Sequence, residues 1–126
     1  VFSQSVLQYT NLNFMYGCMQ NWLKPGGAMA HVIDFSSLGI TKKWNGHWSF
    51  NKWEWRLYSL GKKMLLNRAL VSNHFTLIKN LSFKIIASIP YQNKTGLNPQ
   101  QLAKDFTHYS QEDIETGGAY FLAEKC

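Results

Sequence analysis

The segment Ala28 to Phe35, set directly behind Lys24-Pro25-Gly26-Gly27, limits this chain to few folds. Apolar residues fill it almost continuously, with only His31 and Asp34 set among them, so it lacks the in–out alternation of a half-exposed strand. Such a run is expected to be buried on both faces, the habit of a parallel strand covered by helices. The residues in front agree. Lys24 suits a helix end, Pro25 cannot continue a helix, and the two glycines turn the chain. A helix must therefore precede the strand. Leu12, Met15, Met19 and Trp22 recur at spacings of three and four, on one face of a helix capped by Thr10 or Asn11.

Further along, Ser49 or Asn51 caps a helix running towards Ser59, and Ser72 or Asn73 caps another through Asn80, with Phe75, Leu77, Ile78 and Leu81 as packing residues. Phe83 to Ile89 reads as a second strand, ended by Pro90. Asn98-Pro99 opens a short helix that buries Leu102 and Phe106. Ser110 with Asp113 resembles a capping box, and Gly117-Gly118 lead into a last strand from Ala119 to Glu124. Strands alternating with helices in this way define an α/β sheet. A chain of 126 residues builds one core. Three strands with two open edges make a poor independent sheet, so part of the sheet is expected to lie elsewhere. The opening Val1-Phe2-Ser3, without a methionine or a basic leader, carries the same expectation of a piece of a longer protein.

The net charge of +6 is unevenly spread. Residues 35–104 hold eleven Lys or Arg against the single acid Glu54, whereas residues 105–126 hold five acids against Lys125. A basic middle attracts phosphate-bearing substrates, nucleic acid or an acidic membrane surface; otherwise it is a solvated face whose counter-charges lie outside this chain. No stretch approaches the roughly 20 apolar residues of a membrane span. Cys18 and Cys126 stand far apart and outside any CxxC pair, which argues against a disulfide framework or a zinc site and points to a cytoplasmic setting.

Ser3-Gln4-Ser5-Val6-Leu7-Gln8-Tyr9, a helix, Trp22-Leu23-Lys24-Pro25-Gly26-Gly27 and then a buried strand resemble, in that order, the second half of class I S-adenosylmethionine-dependent methyltransferases. His31-Val32-Ile33-Asp34 resembles the H-x-I-D strand end of a subgroup of that family. Trp44-Asn45 and Asn67-Arg68 resemble its aromatic and Asn-Arg positions, and Ser110 to Ile114 before a strand ending in Lys125 resembles its closing segment. The chain departs from the pattern where Tyr9 replaces a frequent histidine and Leu81-Ser82-Phe83 replaces a Gly-Phe pair. The resemblance implies the C-terminal portion of a Rossmann-like sheet, parallel strands plus a final antiparallel one, with the N-terminal cofactor-binding half missing. It implies S-adenosyl-L-methionine as cofactor and a small-molecule or sugar-containing methyl acceptor. It also implies that Ser3, Gln4 and Ser5 lie near the methionine end of the cofactor.

Methyl transfer from a sulfonium needs a positioned nucleophile and, for a weakly acidic one, a general base. Asp34, at the exit of the buried strand, is the first candidate base, with a loop-capping carboxylate as the alternative. His31, also on that strand, is the second catalytic candidate through the H-x-I-D resemblance; it lies three residues earlier and therefore on the opposite face, which disfavours a dyad and favours a structural role. His47 reads as a surface loop residue, and His74 and His108 show no partner at useful spacing. Residues 36–60, with Trp44, Trp48, Trp53 and Trp55, form a lid over the substrate, a packed subdomain, or, with Lys42, Lys43, Lys52 and Arg56, a surface for RNA or single-stranded DNA. Trp44, Asn45, Trp48, Asn67 and Arg68 are the expected substrate contacts, Arg68 through its guanidinium fork. No metal ligand set is present in the sequence pattern.

Overall fold

A computed structural model describes residues 1–63 and 65–126, and four of its strands form one mixed sheet. The order across the sheet is β1 (Phe2–Gln4), β2 (Ala28–Asp34), β4 (Thr116–Lys125), β3 (Phe83–Gln92). β1 runs parallel to β2, while β4 is antiparallel to both β2 and β3. Strands β1, β2 and β3 therefore point the same way, with one reversed strand between the second and third. The architecture is α/β. β1 is a strand the three-strand expectation missed; three residues offer no periodicity to read, and only pairing of Phe2, Ser3 and Gln4 with Ala30, His31 and Val32 defines it.

Helix α1 (Leu12–Trp22) begins at Asn11, whose side chain accepts the Phe14 N–H at 3.1 Å, and Thr10 takes no part in that cap. It buries Leu12, Tyr16 and Met19; Trp22, expected on the same face, is 64% exposed because at 100° per residue it falls outside the arc those three occupy. Asn51 starts α2 (Lys52–Ser59) through a reciprocal cap with Glu54, at 2.9 and 2.7 Å. In α3 (Val71–Asn80) the start lies a residue or more earlier than Ser72 or Asn73 implied: Asn73 sits in the first turn and its Oδ1 accepts the Leu70 N–H. Ser82, just past that helix, adopts φ 62°, the left-handed region that glycine prefers. Short 3-10 turns and α4 (Gln111–Glu115) lead into β4, which takes in Gly117 and Gly118. β3 runs on through Pro90 to Gln92, a place proline tolerates because β3 is an edge strand.

Burial alternates along β2. Met29, His31 and Ile33 are buried beneath α1 and α3 with Ala119, Phe121 and Ala123 of β4, and Tyr16, Met19, Leu70 and Ile78 complete that core. The other face is apolar too, with Val32, Tyr120, Leu122, Ile89 and Tyr91, but among the described residues no helix covers it, so β2 is buried on one face and not, as its unbroken apolar run implied, on both; Ile89 and Tyr91 are 65% and 66% exposed. Among the described residues no helix is long and apolar enough to cross a membrane, and both cysteines are free.

Candidate functional site

Because three strands are codirectional, their carboxyl ends gather at one end of the sheet, where open α/β sheets place ligands. An open cleft of about 500 Å³ lies there on the uncovered face. Ser5 closes β1, Asp34 and Ser36 leave β2, Tyr91 and Asn93 leave β3, and Gly117 and Gly118 open β4; Trp44 walls one side and Tyr120 the floor. Asp34 Oδ1 accepts the Ser36 N–H at 2.8 Å, which fixes the carboxylate in the cleft while Oδ2 takes no bond from the described residues. Asp34 is the sole ionisable carboxylate in the lining, and no Lys or Arg lines it. A carbon added to Gly117 would meet Asn93 Cβ at 3.4 Å, Tyr91 Cδ1 at 3.6 Å and Trp44 Cζ3 at 3.7 Å, so all three side chains border one point of the cleft. The Trp44 Nε1–H is buried and lacks an acceptor among the described residues.

The cleft draws together Ser5, Asp34 and Trp44 from the expected site residues. The others are committed elsewhere. His31 is wholly buried on the opposite face from Asp34 and shares a 2.6 Å hydrogen bond with Ser3 through Nδ1. Gln4 is exposed at the end of β1. Asn45 is buried and clamps Leu97, accepting its N–H at 2.7 Å and donating to its carbonyl at 3.1 Å. Trp48 is wholly buried, its indole donating to Arg68 O. Asn67 spends both amide hydrogens on Leu7 O and Thr10 O. Arg68, at φ 58°, donates to His47 O and Phe50 O, and its guanidinium lies between Trp55 and Phe106 at 4.7 and 5.0 Å from the ring centroids. Burial lowers its pKa, partly offset by Asp105. Arg68 thus pins the 36–60 segment through Nη1 at His47 and Phe50, while Asn67 holds the turn at residues 7–10.

His47, read as a surface residue, is 2% exposed, and His74 finds a partner 58 residues away in Tyr16, at 2.7 Å. Burial pushes His31 down to about 4 and His47 and His74 to about 3. All three are neutral near pH 7, so none of them is a proton donor there. Burial also raises the Tyr16 phenol well above its ordinary range. No group of three or more His, Cys, Asp or Glu side chains among the described residues is placed to hold a metal ion.

Ser36, Tyr91, Asn93 and Tyr120 were missed in the sequence, and the signal for two of them was slight: Tyr91 and Asn93 follow Pro90, where the strand seemed to have ended. The chain matches no model of a known protein family and no curated protein.

Proposed function

We propose that this chain is the substrate-side half of an S-adenosylmethionine-dependent methyltransferase domain, placing a small-molecule or sugar-containing acceptor against a cofactor held mainly by the other half. The observation that carries the reading is the convergence of Ser5, Asp34 and Trp44 at the carboxyl ends of β1 and β2. The reversed strand β4 between codirectional β2 and β3 supports it, as the motif order implied a final antiparallel strand. The uncovered apolar face supports a second layer of helices, because sheets with parallel strands are buried on both sides.

Gln4 and Ser5 fit the cofactor edge, since both are exposed at the end of β1, whereas Ser3 is occupied by His31. The cofactor supplies the electrophilic methyl group. Asp34 Oδ2 takes the proton of the acceptor hydroxyl or amine, and Trp44 and Tyr91 offer apolar surface to its carbon skeleton. A cleft lined by one carboxylate and no cation disfavours a phosphorylated acceptor. The nucleic-acid reading loses its platform: Trp48 and Trp55 are buried, which leaves Trp53 as the one fully exposed tryptophan of that stretch.

The test is transfer of a labelled methyl group by the intact protein to a panel of neutral glycosides and hydroxylated metabolites. Asp34→Asn is expected to lower transfer by about 100-fold or more with the fold unchanged. The 126-residue chain alone is expected to bind S-adenosylmethionine weakly or not at all. An intact protein that fails to bind the cofactor refutes the reading.

A further inference from the structure

Helix α2 carries an apolar stripe that the core does not use. Its Trp55 packs inward at 9% exposure, while Trp53, Leu57 and Leu60 are 71%, 68% and 68% exposed. At 100° per residue, positions 53, 57 and 60 fall within one narrow arc, on the side of the helix away from Trp55. Lys52 and Arg56 lie on the same helix and Lys62 and Lys63 follow it in sequence, all exposed. Arg56 lies over the Trp53 ring at 5.7 Å, at the margin of the stripe, and Lys62 lies over Tyr58 at 4.2 Å, towards the side that stacks with Phe50 and Trp55. The only acid in this stretch, Glu54, is occupied by the Asn51 N–H.

We propose that the α2 stripe docks on an anionic membrane surface, with Trp53, Leu57 and Leu60 entering the headgroup boundary and the four cations meeting lipid phosphates. Charge complementarity selects this occupant. α1 also exposes large apolar residues, Phe14 at 68% and Trp22 at 64%, yet no charged residue occurs between Leu12 and Trp22. The combination of cations with exposed apolar side chains belongs to α2. The two leucines separate a bilayer from a nucleic acid, because an aliphatic side chain neither stacks on a base nor pairs with a phosphate. The proposal is independent of the methyltransferase reading.

The 126-residue chain is to be sedimented with vesicles of phosphatidylcholine alone and with one-third phosphatidylglycerol. Binding is expected only to the anionic vesicles, with a blue shift of tryptophan emission that Trp53→Phe abolishes. The double variant Leu57→Ser/Leu60→Ser should weaken binding by about tenfold or more, and Lys62→Glu/Lys63→Glu by more than ~20-fold. All five substituted positions are exposed, so circular dichroism should be unchanged. Equal binding to neutral vesicles, no binding to either, or tight binding to a single-stranded oligouridylate with none to vesicles overturns the proposal.

Discussion

Lowering the pH from about 7.5 to 5 perturbs His31, His47 and His74 together, because all three are at most 2% exposed. Each has one ring nitrogen buried without a partner among the described residues: Nε2 of His31, Nδ1 of His47 and Nε2 of His74. Protonating any of them creates a buried charge, and burial accordingly lowers their pKa values from 6.5 to about 4, about 3 and about 3. Both folded and unfolded chains hold neutral histidines well above pH 6.5, so nothing is lost there. Below it the unfolded chain gains protons that the folded chain refuses, and stability falls until the folded pKa values are reached. At pH 5 the cost is about 2 kcal/mol per histidine, hence about 6 kcal/mol for the three, against a typical total of about 5–15 kcal/mol. Urea unfolding at half-unit steps is the assay, and between pH 6 and 5 the stability should drop by about 4 kcal/mol per pH unit, the slope for three protons taken up. A slope near 1.4 kcal/mol or below, the value for one proton, refutes the reasoning. So does a folded-state histidine resonance for any of the three that titrates at its ordinary value.

Arg68→Lys keeps the charge but loses the planar fork that joins His47 O and Phe50 O between two aromatic rings; a loss of about 2 kcal/mol in urea unfolding is expected, and none would show that the pin is idle. Gly96→Ala would bring its Cβ within 2.5–2.6 Å of the Asn45 side chain and disturb the Asn45–Leu97 clamp, so the unfolding midpoint should fall by the equivalent of about 1–3 kcal/mol. Ser82→Gly should act the other way, raising stability by roughly 0.5–1 kcal/mol as the left-handed strain is relieved; a lower melting temperature would contradict it.

Local chemistry made the elements with strong patterns legible. The Asn51–Glu54 cap, the Ser110 start of α4, the stop at Lys24-Pro25-Gly26-Gly27 and the apolar run of β2 all depend on residues a few positions apart. Asp34 and Trp44, both expected from the sequence, line the cleft: Asp34 through its position at the exit of an apolar strand, Trp44 through the resemblance. Pairing was not legible. β1 exists through its partner on β2, and β3 continues past Pro90 because its outer edge is free. The burial of His47 and the Tyr16–His74 bond join segments that the sequence keeps apart. The same holds for Arg68, an expected substrate contact whose Nη1 donates to two carbonyls of the 36–60 segment in the fold. Sequence alone determined the alternation of helices and strands, because periodicity and turn chemistry act locally. It did not show that Ala28 to Asp34 is buried on one face only, because that depends on which layers pack against the sheet. Tertiary structure decided which polar groups face the cleft, because that depends on strand order and register, and these bring together Ser5, Asp34 and Tyr91 from three different strands.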